Sequence, residues 1–265
     1  MSVRSLGAYL ATLAMGAAAV LGLAQPASAA GGNYVALGDS YSSGVGAGSY
    51  TSESGSCLRS TKAYPQLWAN ANAPSSFRFV ACSGATTSSV ASGQLGALSS
   101  STTLVSVTAG GNDVGFADVM QTCVLQSEAT CVSRVNTAVS QMQTTLPGSL
   151  DSLYSGIRSR SPQAHVVVLG YPRFYKLSGS CIAGLTETER SAINNASDVL
   201  NGVLAKRAAN AGFSFSSVVD EFTGHEICSG DSWLHSVDWF NIVNSYHPKA
   251  SGQSGGYLPA FRSVA

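Results

Sequence analysis

Five short apolar runs recur along the chain, at Tyr34–Leu37, Phe77–Ala81, Leu104–Thr108, His165–Leu169 and Phe213–Val219, and the segments between them carry helical periodicity. This alternation is the strongest constraint on the fold. Strands separated by helices pair in parallel through right-handed crossovers, which puts helices on both faces of one sheet. The run His165-Val166-Val167-Val168-Leu169 is nearly all apolar, as a central parallel strand covered on both sides must be. Val135, Val139, Met142 and Leu146 fall at helical spacing, and Pro147 is expected to end or kink that helix. Thr186-x-x-Glu189 is a capping box that opens a helix carrying Ile193, Ala196, Leu200 and Leu204 on one face, with Gly212 at its expected stop. Internal repeats and inter-domain linkers are absent, so one α/β domain is expected.

That domain does not start at residue 1. Met1–Arg4 is a basic start, Leu6–Leu23 is an Ala/Leu/Gly/Val-rich run, and Pro26 precedes Ala27-Ser28-Ala29. Residues 1–29 read as a secretory signal cut after Ala29; a membrane anchor would need about 20 strongly apolar residues and no cleavage motif. The mature domain is then residues 30–265, 236 residues long and expected outside the cell. Only 11% of residues are charged, against about a quarter in an average protein, and the mature net charge is near −1 because Arg4 leaves with the signal. No basic stripe is available for nucleic acid.

All six cysteines lie in the exported part, which favours three disulfides. The rival, a zinc site, lacks any C-x-x-C or paired-histidine spacing. Loop length favours Cys123–Cys131 as a local staple. The other four cysteines are open to more than one pairing, and Cys57–Cys82 with Cys181–Cys228 is the pairing expected.

The first strand runs through Tyr34-Val35-Ala36-Leu37 straight into Gly38-Asp39-Ser40, which sets one hydroxyl at the carboxyl end of the sheet, where open α/β folds keep their sites. Ser83-Gly84 follows the second strand, Gly110-Gly111-Asn112-Asp113 the third, and His247 lies late in Asn244-Ser245-Tyr246-His247-Pro248. Separately, Gly84 reads as a turn glycine, Asp113 as a cap for the next helix, and His247 as a loop residue. Together they fill the posts of acyl transfer: a hydroxyl nucleophile, a base and oxyanion donors.

In order and spacing these blocks resemble the SGNH (GDSL) hydrolase family across essentially the whole mature chain. More narrowly, Ala36–Gly44 and Gly170-Tyr171-Pro172-Arg173-Phe174 resemble secreted actinomycete lipases and phospholipases of that family. The resemblance implies a flavodoxin-like three-layer α/β/α sandwich with a central parallel five-stranded sheet. It also implies serine ester hydrolysis without metal or cofactor. Ser40 would be the nucleophile and His247 its base, with the N–H groups of Ser40 and Gly84 and the Asn112 amide holding the oxyanion. One post departs from the pattern: the usual Asp three residues before the histidine is Asn244. Either Asp238 or Asp231 folds in, or a main-chain carbonyl, that of Ser245, orients the ring in a Ser–His dyad. The dyad is the expectation.

Other short motifs carry less. Gly252-Gln253-Ser254-Gly255-Gly256 matches G-x-S-x-G, but no histidine follows it. Gly44-x-Gly46-x-Gly48 opens no helix pattern, and the second Gly230-Asp231-Ser232 follows no strand. His225-Glu226 lacks a second zinc histidine, His165 reads as structural, and His235 stays open. The Gly/Ser-rich Ser42–Ser60 segment is either one wall of a substrate cleft or a mobile surface loop. Phe116, Phe174, Trp233 and Trp239 are candidate apolar walls. The expected partner is a lipid ester, met through transient contact with a lipid interface by a monomer that spans no membrane. Phospholipase A1 as main activity, a polysaccharide or cell-wall acetyl esterase, and a non-catalytic secreted binding module are the alternatives.

Overall fold

The computed structural model describes residues 1, 32–179, 181 and 184–265; the signal-peptide expectation, Met1 apart, lies outside the described residues. Strand β1 (Asn33–Gly38) runs at once into a one-turn helix α1 (Ser40–Ser43), and a long connection leads to α2 (Tyr64–Asn72) and strand β2 (Ser76–Phe79). Helix α3 (Thr87–Gly93) returns the chain to β3 (Leu104–Thr108). Helices α4 (Phe116–Leu125), α5 (Glu128–Thr144) and α6 (Leu146–Arg160) precede β4 (His165–Leu169), and α7 (Glu187–Asn210) precedes β5 (Ser214–Ser216). The chain ends through α8 (Val219–Phe222), α9 (Ala250–Gly252), a π turn over Gln253–Tyr257, and α10 (Leu258–Arg262).

The strands form one parallel sheet in the order β2-β1-β3-β4-β5. Going from β1, the chain first adds β2 on one side and then crosses back to add β3 on the other. The carboxyl ends of β1 and β3 therefore flank a topological switch point, and a crevice opens there.

Pleating divides the core in two. On one face the Tyr34 hydroxyl and Ser106 Oγ share a hydrogen bond of 2.7 Å. The Tyr34 ring packs there on Trp68 of α2 and Phe261 of α10, at centroid distances of 5.1 and 5.6 Å. Val35, Leu37, Val105 and Val107 take the other pleat and are buried. Helices α3, α5, α6 and α7 pack against one another as the second helical layer.

Three sequence expectations shift. Pro147 ends no helix: α5 stops at Thr144, and Pro147 sits in the first turn of α6, where a missing N–H costs nothing. Leu146 thus belongs to a second helix. Strand β2 stops at Phe79 because Val80 N and Ala81 N both donate to Ala36 O, a doubling that takes the chain off the sheet edge. The last strand shrinks to Ser214–Ser216, since Val219 opens α8. The capping box of α7 forms in both directions: Thr186 Oγ1 accepts from Glu189 N at 3.2 Å, and Glu189 Oε2 accepts from Thr186 N at 2.8 Å.

The disulfides are Cys57–Cys82, Cys123–Cys131 and Cys181–Cys228. The first ties down the Ser42–Ser60 segment, which also carries a 3₁₀ stretch over Ser52–Cys57 and an antiparallel bridge between Tyr50 and Ser60.

Candidate active site

The nucleophile candidate is positioned by a sharp exit from β1. Gly38 has φ +123°, and a Cβ on it would lie 2.4 Å from Thr108 O, so only glycine lets β1 turn this close to β3. Gln94, buried just after α3, grips the Gly38 peptide from both ends. Its Oε1 accepts from Gly38 N at 2.7 Å and its Nε2 donates to Gly38 O at 2.8 Å. Asp39 then caps α1 by accepting from Tyr41 N at 2.9 Å. Ser40 becomes the first helical residue, so its own N–H is one of the orphans of a helix N-terminus.

His247 arrives from the far end of the chain. The Tyr41 hydroxyl donates to Tyr246 O at 2.8 Å, tying the residue after Ser40 to the residue before His247. His235 N donates to His247 O at 2.9 Å and Tyr246 N to His235 O at 3.1 Å, while His235 Nε2 donates to Gly46 O at 2.8 Å. The result is a hydrogen bond of 2.7 Å between His247 Nε2 and Ser40 Oγ. Burial pushes the imidazole down to about 4, against the smaller upward pull of the main-chain carbonyls of Ser245 and Val243. The ring is therefore neutral at pH 7 and can accept the serine proton. Its Nδ1 is buried and finds no hydrogen-bond partner among the described residues.

Neither carboxylate considered for the vacant family post reaches the ring. Asp238 is spent on its own turn, accepting from Phe240 N at 3.1 Å and Asn241 N at 3.0 Å. Asn244 Nδ2 points to Asp238 Oδ2 at 3.4 Å rather than to the histidine. Asp231 pairs with His225 at 3.1 Å.

The acceptor side of the site faces this pair. Gly84 takes φ +75° in the turn closed by Ala85 N and Cys82 O, and a Cβ there would meet nothing within 4 Å, so the glycine serves conformation rather than space. Among the described residues, neither Ser40 N nor Gly84 N has a hydrogen-bond acceptor. Asn112 Nδ2 donates to Ala85 O at 3.0 Å, which fixes the amide and leaves its second N–H unused. Asp113 does not cap the helix that follows it. It accepts from Thr87 N and Thr87 Oγ1, holding the start of α3.

Beneath the site Tyr171 joins two loops: it donates to Asp39 Oδ2 at 2.5 Å and accepts from Gly111 N at 3.2 Å. Asn201 of α7 clamps Tyr171 through its main chain, accepting from Tyr171 N at 2.8 Å and donating to Tyr171 O at 2.7 Å. Burial pushes Asp39 up to about 7, partly offset by the Tyr171 and Tyr41 donors. Gln94 and Asn201 escaped the sequence reading. Nothing in their local pattern distinguishes a buried amide clamp from an ordinary helix residue.

Ser40, Gly84, Asn112 and His247 all line one cleft of about 640 Å³. Its walls are apolar: Phe116 stacks on Phe174 at 5.1 Å, Met142 and Leu200 line it between the helices, and Trp239, Ile242 and Val243 also border it. Trp233 is not among them, since it stacks on His225 at 3.6 Å instead. The Ser42–Ser60 segment lends the cleft no wall either. It buttresses the histidine from behind, where a Cβ on Gly46 would come within 3.0 Å of His247 Cβ.

Comparison with known proteins bears on the fold and the family. Residues 36–254 match the model of the GDSL-like Lipase/Acylhydrolase family. The chain is 64% identical over 252 residues to Lipase 1 of Streptomyces coelicolor, covering 95% of this chain and 93% of that one. It superposes on the crystal structure of phospholipase A1 from Streptomyces albidoflavus NA297 with TM-score 0.87 and 67% identity, covering 89% of this chain and all (100%) of that one. The extracellular lipase of Streptomyces rimosus gives TM-score 0.86 and 59% identity, over 88% and 100% of the two chains. With the family model spanning the switch-point site and such relatives aligned along nearly their whole length, the chain belongs to the GDSL-like lipase/acylhydrolase family.

Proposed function

We propose that the mature chain, residues 30–265, is a secreted enzyme that hydrolyses carboxylic esters of lipids through a Ser40–His247 dyad. The observation that carries the reading is the 2.7 Å contact between Ser40 Oγ and a neutral His247 Nε2 at an apolar cleft. His247 takes the Ser40 proton as Oγ attacks the ester carbonyl. The tetrahedral oxyanion is held by the N–H groups of Ser40 and Gly84 and the free N–H of Asn112. His247 then gives its proton to the leaving alcohol, the acyl group stays on Ser40, and water repeats the cycle in reverse. The Ser245 carbonyl favours the protonated ring although Nδ1 makes no hydrogen bond to it here, and we infer that it fills the post left by Asn244 once the ring is charged. With no carboxylate partner, the imidazolium depends on main-chain dipoles alone.

The apolar walls favour acyl chains over a polysaccharide ester, whose sugar would need polar lining. Secretion is supported by three disulfides and by the extracellular relative from Streptomyces rimosus. Phospholipase A1 activity is the second reading, favoured by the 67% identity to the enzyme of that name. Hydrolysis of triolein and of phosphatidylcholine is compared between wild type and Ser40→Ala. Both activities vanish in the folded variant, and the wild-type ratio ranks the two substrates. Ester hydrolysis surviving in Ser40→Ala overturns the reading.

A further inference from the structure

The surface at the cleft mouth is apolar. Within one short turn, Trp239, Phe240, Ile242 and Val243 are 67, 98, 65 and 45% exposed. Leu125, at the end of α4, lines the same cleft and is 55% exposed. Scattered apolar side chains are ordinary on a protein surface, but a contiguous set beside a cleft is not. Trp239, Ile242 and Val243 also line the cleft, whereas Phe240, the most open of them, does not.

The turn is built to hold this exposure. Asp238 Oδ1 accepts from the N–H groups of both Phe240 and Asn241, and Ser245 Oγ accepts from Asp238 N at 2.9 Å. Asn244 Oδ1 accepts from the Tyr50 hydroxyl at 3.4 Å, tying the turn back to the Ser42–Ser60 segment. Polar bonds thus fix the backbone while the large side chains stay open to solvent. Charge narrows what could cover them. Between Arg207 and Lys249 the sequence has no Lys or Arg, and Asp238 is the only charge in the turn. The turn itself therefore supplies no cation to an anionic headgroup. Exposed Trp and Phe on a fixed turn suit the boundary between headgroups and acyl chains.

We propose that the Trp239–Val243 turn docks the protein on a neutral or zwitterionic lipid surface, with Phe240 as the inserted anchor. Because its neighbours in the turn line the cleft, docking sets the mouth against the lipid, and an acyl chain enters without crossing water. The proposal rests on the lipid-ester reading for its purpose, but binding is measured apart from catalysis.

Ser40→Ala protein and the Ser40→Ala, Phe240→Ser double variant are mixed with phosphatidylcholine vesicles, with and without phosphatidylglycerol. Binding is read by co-sedimentation and tryptophan fluorescence. The expected result is binding to phosphatidylcholine that weakens at least about tenfold with Phe240→Ser, about 1.4 kcal/mol. Phosphatidylglycerol is expected to change it by no more than about twofold, because the turn carries no Lys or Arg. In the active background, Phe240→Ser keeps hydrolysis of a short soluble ester, which also reports its fold, and loses hydrolysis at vesicles. Undiminished binding by the variant overturns the proposal. So does binding only to anionic vesicles, or self-association that Phe240→Ser abolishes, which would make a second copy the occupant. If wild type cleaves no soluble ester, the ester reading fails while the vesicle result stands.

Discussion

Acid tolerance is the sharpest consequence of the site's geometry. The His247 ring is pushed from 6.5 down to about 4 because burial penalises its charged form and no carboxylate compensates. Catalysis needs the neutral ring, so kcat/KM should fall only when pH drops through that value. At pH 5.5 the neutral fraction is about 0.97 for a pKa of about 4 but about 0.09 for an unshifted ring, a tenfold contrast. The assay is hydrolysis of a short soluble p-nitrophenyl ester from about pH 3 to 8, quenched and read as nitrophenolate after alkalinisation, below saturation, so that the free enzyme is probed and no lipid surface intervenes. The expected profile is flat from pH 8 to about 5 and falls about tenfold per pH unit well below 4. Asp39, pushed up to about 7, also titrates in this range, and Asp39→Asn identifies any step it adds. A half-maximum at or above 6.5 that survives Asp39→Asn would refute the desolvated, carboxylate-free histidine.

Further outcomes follow from single contacts. Asn112→Ala removes one oxyanion donor and should lower kcat about 100- to 1000-fold with little change in KM, measured by steady-state kinetics on the same ester. Asp238→Ala and Asp231→Ala should keep soluble-ester turnover within about tenfold of wild type, since neither carboxylate reaches His247; a loss of several hundredfold in a folded variant would restore a triad. Gln94→Leu strands the buried Gly38 N–H, although Gly38 O keeps the Cys82 N donor, and should cost about 1–3 kcal/mol in urea unfolding. Because Gly38 sets the exit of β1, the same variant should also lower kcat.

The local patterns that were legible are those in which a residue's neighbours in sequence are also its neighbours in space. The apolar runs of β1, β3 and β4 gave the parallel sheet, since period and burial are set residue by residue. Thr186 and Glu189 gave the start of α7 because a capping box closes within one turn. Gly38-Asp39-Ser40, Gly84, Asn112 and His247 were legible as a candidate site only together, because each alone has an ordinary reading and it is their order along the chain that resembles a known family. Pro147 misled, because proline is equally at home ending one helix and beginning the next.

What tertiary structure alone decided are the partners brought together from distant parts of the chain. Gln94 meets Gly38 across 56 residues, and Tyr41 meets Tyr246 across 205. Asn244 shows the limit most plainly. The sequence marked it as a missing carboxylate, and only folding reveals that it bonds Asp238 and Tyr50 instead of the histidine. Composition and periodicity report which side chains leave water. They carry no record of which buried amide will face which peptide, because that is set by the crossing of helices and the register of strands, not by local preference.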